Sequence, residues 1–212
     1  GALDDGVLAA SRRRLRQASL RGVLVNNKVA NVGAPGGVED AEKLCARLGE
    51  LLGCPGAQFL PASTGVVGWK LPVQEMLQAL PALVAPRQEQ SLVPVARSIM
   101  TTDAYPKLHR EHVGRGSIVG VAKGAGMIEP NMGTMLAFLL TDLAVSPAFL
   151  RECLQECVAS SFNRISVDGD QSTSDMAVAL SSGRRPAPRP AAFRRALLGV
   201  CRRLAEDVVR NG

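Results

Sequence analysis

A glycine-rich segment between two apolar runs constrains the fold of this 212-residue chain more than any other stretch. Residues 123–134 read Lys-Gly-Ala-Gly-Met-Ile-Glu-Pro-Asn-Met-Gly-Thr, with an apolar run on either side. Short apolar runs bounded by Gly and Pro are typical of buried strands, and the Gly and Pro-Asn residues indicate a turn. The sequence therefore predicts two central strands, residues 117–122 and 134–140, joined by a long turn.

The rest of the chain alternates between helix and strand patterns. Ser146 supplies a capping hydroxyl and Pro147 suits the first position of a helix that begins there. A loop of acidic and hydroxyl residues lies between residues 165–167 and 176–180, and residues 184–190 read as a Pro/Arg linker. This alternation predicts a layered α/β fold. We predict further helices at residues 1–22, 38–52, 72–83, 91–100 and 191–209, and further strands at 23–25 and 58–61.

Composition excludes several classes of protein. Hydrophobic residues make up 46% and charged residues 21% of the chain, which is typical of a globular protein. The net charge of +6 and the arginine clusters would suit nucleic acid, but aromatic residues are only 3%, so few side chains can stack on bases. We therefore interpret the clusters as solvated faces and expect no nucleic-acid partner. No apolar run reaches the length of a membrane span and no signal peptide opens the chain, so no membrane contact is expected.

Neither a metal nor a cofactor is expected. The five cysteines form no CxxC pair, which favours reduced thiols and a cytoplasmic location. Asp168, Asp170 and Asp175 lie among hydroxyl residues and glycine, a composition typical of a self-capped turn rather than a cation site. The glycines at 124 and 126 lack the spacing of a nucleotide-binding loop.

The bond between Gly133 and Thr134 stands directly before the second central strand. Glycine has no Cβ, so the carbonyl of Gly133 can be approached closely by the Thr134 hydroxyl. One interpretation is a peptide bond that cleaves itself: the hydroxyl attacks the carbonyl, water hydrolyses the ester, and Thr134 gains an α-amine that can act as a base. The other interpretation is an ordinary turn, with Lys123 a solvated residue at a strand end.

Four segments, in order along the chain, carry a resemblance to a known family. Residues 122–138 resemble the self-processing signature of the ornithine acetyltransferase (glutamate N-acetyltransferase) family, also called the bifunctional ArgJ family. Residues 62–68 (Ala-Ser-Thr-Gly-Val-Val-Gly) resemble its oxyanion segment, 100–103 (Met-Thr-Thr-Asp) a substrate-contacting stretch, and 161–175 a segment after the nucleophile. The Asn-rich loop 26–31 resembles the family only loosely and is assigned no role.

The resemblance implies an N-terminal-nucleophile-like acyltransferase fold, with helices packed over stacked sheets and incomplete in this chain. It implies self-cleavage between Gly133 and Thr134. Residues 1–133 would then correspond to most of the α chain, and residues 134–212 to the first part of the β chain. It also implies the roles of the site residues: Thr134 as nucleophile, Thr64 and Gly65 as the oxyanion hole, and Thr102, Lys123 and Thr134 as substrate-binding residues.

The activity that the resemblance implies is acetyl transfer from N-acetylornithine to glutamate in arginine biosynthesis, through an acetyl-threonine intermediate. The self-cleaved chains are expected to associate as a hetero-oligomer, and acetyl-CoA serves some members as a second donor. Two alternatives stay open: an amidase or aminopeptidase with the same nucleophile, and a silent fragment that acts as an interaction module. Trp69 and Lys70 depart from the family pattern beside the oxyanion segment. The chain also lacks the family's N-terminal and C-terminal portions, so we expect it to be inactive alone.

Overall fold

Two compact units, Gly1–Ser91 and Leu92–Gly212, make up the chain. This boundary differs from the one at residues 133 and 134, because compact units reflect packing whereas the predicted cleavage concerns one peptide bond. The predicted division into two chains therefore stays a prediction. A computed structural model describes residues 6–15, 19–84, 91–126, 128–129, 132–133, 135–167 and 175–211.

The first unit is a two-stranded parallel sheet with three helices. Strands β1 (Gly22–Asn26) and β2 (Phe59–Ser63) pair in register, with Gly22 opposite Phe59 and Asn26 opposite Ser63. The helices are α1 (Gly6–Arg14), α2 (Gly37–Leu52) and α3 (Val73–Val84), and a 3-10 turn, Gly56–Gln58, precedes β2. Apolar residues of α2 and β2 form the core with Leu71, Val73 and Leu80.

The second unit is built on a four-stranded sheet. Its strands are, in spatial order, β3 (Lys107–Val113), β4 (Gly116–Lys123), β7 (Leu136–Leu143) and β8 (Met176–Arg185). The first three are antiparallel, and β8 pairs parallel with β7. A separate two-residue pair is formed by β5 (Ile128–Glu129) and β6 (Met132–Gly133). Its helices are α4 (Val93–Ser98), α5 (Pro147–Ala159) and α6 (Pro190–Asn211).

Helices α5 and α6 cover one face of this sheet, and α6 lies directly on β3 and β4. Nearly every residue of β4 and β7 is buried, as their apolar sequences predict. At Gly120 a Cβ would lie 2.5 Å from Val200 and 2.7 Å from Leu204, so the glycine lets α6 approach the strand closely. Both central strands, and the helix capped by the Ser146 hydroxyl, are confirmed.

One strand was missed, and two predicted elements were wrong at their limits. Strand β3 was missed, because its sequence Lys-Leu-His-Arg-Glu-His-Val carries the charges of an exposed segment. The first helix is shorter than predicted, since α1 ends at Arg14 and β1 begins at Gly22. Strand β8 extends to Arg185, into the predicted linker, because its pairing with β7 continues past a register shift. Among the described residues, no helix has the length and apolar character needed to span a membrane.

Candidate functional site

The predicted oxyanion residues lie where the two strands of the first unit end. Asn26, at the end of β1, accepts a hydrogen bond from the Ser63 hydroxyl and donates one to the Val29 carbonyl over 2.9 Å. The backbone carbonyl of Asn26 accepts a hydrogen bond from the Thr64 N–H over 3.2 Å. The carboxyl ends of neighbouring parallel strands commonly form ligand sites. Here the hydrogen bonds of Asn26 connect the loop after β1 to the end of β2 and the residue that follows it. Sequence reasoning gave Asn26 no role, although the asparagine itself was visible.

Backbone contacts hold the Thr64-Gly65 turn against the loop after β1. The Val66 N–H donates to the Lys28 carbonyl over 2.8 Å, and the Ala30 N–H donates to the Val66 carbonyl over 2.9 Å. Gly65 has a φ of +130°, and a Cβ there would lie 2.5 Å from the Lys28 Cα and overlap its carbonyl. Only glycine can occupy this position. Thr64 beside it is fully buried.

In the second unit, Lys123 ends strand β4 with only 3% of its surface exposed. The interpretation of Lys123 as a solvated residue is therefore wrong. Burial lowers the pKa of the Lys123 ammonium below its usual value, while the negative charges of Asp103 and Asp175 oppose that shift and Lys107 adds to it. A buried cation at a strand end is a suitable partner for a carboxylate ligand.

Asp103 connects the two predicted substrate-binding segments. Its carboxylate accepts hydrogen bonds from the Gly124 N–H (2.8 Å), the Thr101 N–H (3.1 Å) and the Lys107 ammonium (2.7 Å). Burial alone would raise the pKa of Asp103, but these hydrogen bonds and the Lys107 charge hold it below its usual value. Thr102 is exposed between Thr101 and Asp103. One carboxylate thus connects the residues next to Thr102 and Lys123, Thr101 and Gly124.

The start of strand β7 is fixed by Asp175, whose carboxylate accepts the Met135 N–H over 2.7 Å. The Met176 N–H donates to the Met135 carbonyl over 3.0 Å, so both polar groups of Met135 are bonded. Thr134, the predicted nucleophile, lies outside the described residues, as do Asp168 and Asp170. Gly133 is described only as the end of β6, paired with Ile128. Within the described part of the chain, no cluster of three or more His, Cys, Asp or Glu side chains is suited to a metal.

Known proteins match this chain along almost its whole length. The family model described as the ArgJ family matches residues 6–212. The arginine biosynthesis bifunctional protein ArgJ of Methylococcus capsulatus is 42% identical over 217 residues, which cover 97% of this chain and 53% of that protein. Its namesake in Chlorobaculum tepidum is 39% identical, covering 91% of this chain and 50% of that protein. The chain thus spans about half the length of the curated relatives it matches.

Two solved structures share the fold. The ArgJ protein of Bacillus halodurans matches with a TM-score of 0.50 and 22% identity, over 62% of this chain and 72% of that one. The ornithine acetyltransferase of Mycobacterium tuberculosis, solved in complex with ornithine, matches with a TM-score of 0.50 and 24% identity, over 60% and 71% of the two chains. These matches confirm the predicted layered α/β fold.

Proposed function

Since this chain belongs to the ArgJ family, we propose that the protein of which it forms part transfers an acetyl group from N-acetylornithine to glutamate. The observation that carries the proposal is the family match over residues 6–212, which includes every predicted site residue. Because the chain covers about half of its relatives, the activity is proposed for the whole protein.

The first proposed step is self-cleavage. The Thr134 hydroxyl attacks the Gly133 carbonyl carbon, the C–N bond breaks, and the nitrogen takes up a proton to become the α-amine of Thr134. Water then hydrolyses the ester between Gly133 and the hydroxyl. The new chain begins with a residue that carries both a nucleophile and a base.

The second step is acetyl transfer through that residue. The α-amine accepts the proton of the Thr134 hydroxyl, which attacks the acetyl carbonyl of N-acetylornithine. Ornithine leaves with a proton, and an acetyl ester stays on the threonine. The amine of glutamate then attacks this ester and restores the hydroxyl. Thr64 and Gly65 stabilise the oxyanion of each tetrahedral intermediate, and each such donor is typically worth about 3 kcal/mol of barrier.

Lys123 and Thr102 are proposed to bind the substrate. The buried position of Lys123 supports this role, because a cation that has already lost its water gains most from a carboxylate ligand. The Asp175 contact supports a fixed position for the chain immediately after Thr134. No cofactor is proposed. A cytoplasmic location is also proposed, since all five cysteines are free.

Mass spectrometry and product analysis of the full-length protein test the proposal. We expect two fragments separated before Thr134, and acetylglutamate when N-acetylornithine and glutamate are both supplied. Thr134→Ala removes the hydroxyl, so it should leave one uncleaved polypeptide and abolish transfer. Ser182→Ala, which removes an exposed hydroxyl from β8, is the matched control and should behave as the wild type does.

Other outcomes would point to the alternatives. Acetate in place of acetylglutamate would indicate an amidase, because water rather than an amine would then resolve the ester. An uncleaved wild-type protein without activity would indicate a silent interaction module. Replacing N-acetylornithine by acetyl-CoA in the same assay tests the second acetyl donor.

A further inference from the structure

Asp103 is a buried carboxylate that joins three separate segments of the second unit. It is 8% exposed and accepts one hydrogen bond from its own turn (Thr101), one from the residue after β4 (Gly124) and one from the first residue of β3 (Lys107). Carboxylates in turns usually cap their own backbone, whereas Asp103 also binds a strand end 21 residues away. Removing the carboxylate would break all three hydrogen bonds at once.

Lys107, the charged partner of Asp103, makes a second hydrogen bond to helix α6. The Lys107 ammonium is fully buried and donates to Asp103 over 2.7 Å and to the Asn211 side-chain oxygen over 2.9 Å. The same oxygen of Asn211, in the last turn of α6, accepts the Ala104 N–H over 2.9 Å. A shift of the Asp103 carboxylate would therefore disturb Lys107 of β3, which also binds α6. A carboxylate held in this way can fix the positions of the backbone N–H groups that donate to it.

We infer that Asp103 is a positioning residue, which holds the turn bearing Thr102 and the strand end bearing Lys123 at the spacing that the substrate carboxylate requires. The inference deepens the proposed function and rests on it. Asp103 acts only through its neighbours, without contact to the substrate or the nucleophile.

The charge of Asp103 also bears on Lys123. The charged groups that act on the Lys123 ammonium are Asp103, Lys107 and Asp175, from the turn before β3, from β3 and from the residue before β8. Without the negative charge of Asp103, only Asp175 opposes the effects of burial and of the Lys107 charge on Lys123. The pKa of the Lys123 ammonium should therefore fall further. A carboxylate ligand would then lose its cationic partner at a lower pH.

The test is Asp103→Asn in the full-length protein, with N-acetylornithine as the varied substrate. Asn keeps one acceptor oxygen but loses the charge and the second acceptor. We expect KM to rise about 10-fold and kcat to change much less, since binding geometry rather than the nucleophile is disturbed. The basic limb of the kcat/KM profile should also move to lower pH, a change that a purely structural role would not produce.

The matched control is Asp142→Asn. Asp142 also accepts a backbone N–H at an end of β4, that of Ser117 over 2.8 Å, whereas Asp103 binds at the opposite end. Its KM and pH profile should stay at the wild-type values. An equal rise of KM in both variants would overturn the inference, as would an unchanged KM in D103N.

Asp103→Glu covers the case in which D103N does not fold. Glu keeps the charge beside Lys107 but moves the carboxylate by one methylene, so KM should rise, and the thermal midpoint should fall by less than in D103N because the charge pair is kept. A folded D103E protein with wild-type KM would overturn the inference. A wild-type protein without transferase activity would instead refute the proposed function, so the two failures are distinguishable.

Discussion

At the residue scale, the structure gives a physical reason for the glycine in the Thr64-Gly65 turn. A Ser-Thr-Gly run is commonplace, and its glycine usually serves a turn of no special shape. Here Gly65 is required because the Lys28 backbone occupies the space of a side chain. Lys28 itself has a φ of 82°, a left-handed conformation that is unfavourable for lysine. The two loops hold one another in these conformations.

Gly65→Ala tests this contact. We expect a loss of at least about 3 kcal/mol in the free energy of unfolding, because the new Cβ overlaps backbone atoms that cannot rotate away. Thermal or urea denaturation of the full-length protein measures the loss.

Gly68→Ala separates crowding from backbone strain. Gly68 also has a positive φ, of +81°, but no atom lies within 4 Å of its Cβ position. We expect a cost of only about 1 kcal/mol there, from the left-handed conformation alone. Equal losses in the two variants would show that the Lys28 backbone does not crowd residue 65.

At the scale of elements, helix α6 owes its position to a glycine in the strand beneath it. Its buried stripe, which includes Leu197, Val200 and Leu204, packs on the sheet, and Gly120 lies under the contact. The stripe was visible in the sequence as a helical repeat of apolar residues. The strand that receives it was visible as an apolar run. Their pairing was not, because nothing local to either element specifies the other.

Gly120→Ala should destabilise the protein by about 1 to 3 kcal/mol, since its methyl group would collide with Val200 and Leu204. Gly199→Ala is the matched control on the facing helix, where the nearest atom lies 3.8 Å from the Cβ position. That change should stabilise the protein by about 0.5 to 1 kcal/mol, because alanine favours the helical conformation. Thermal midpoints of both variants check the signs, and a stabilising G120A would contradict the packing described here.

At the scale of the whole molecule, the predicted cleavage would place two neighbouring strands of one sheet on different chains. Strand β4 precedes the break and β7 follows it, and the two pair from Ile118–Thr141 to Lys123–Leu136. The core cluster also draws residues from both sides, including Val113 and Ile118 before the break and Leu139 and Val200 after it. Separating the fragments would expose this core to water.

We therefore expect the two cleavage products of the full-length protein to stay associated. They should elute as one species in native size-exclusion chromatography and as two in concentrated urea, which weakens apolar burial and strand pairing alike. The uncleaved Thr134→Ala variant provides the reference elution volume. Separation of the wild-type fragments in native buffer would contradict the expectation.

Local patterns in the amino-acid sequence were enough to predict the class of fold, most elements and the segments that resemble the ArgJ family. Apolar runs predicted β4 and β7, and a capping hydroxyl with proline predicted the start of α5. The charged strand β3 escaped prediction, since its place in the sheet comes from pairing with β4 rather than from its own composition.

Which polar residues act together became visible only in the folded chain. Asp103 lies 20 residues before Lys123 in the sequence and Asp175 lies 40 residues after Met135, yet each carboxylate fixes a backbone N–H at the site. The burial of Lys123 was equally invisible, because a lysine at a strand end is ordinarily solvated. Hydrogen bonds between distant segments form only once the sheet has brought them together, so no local pattern encodes them.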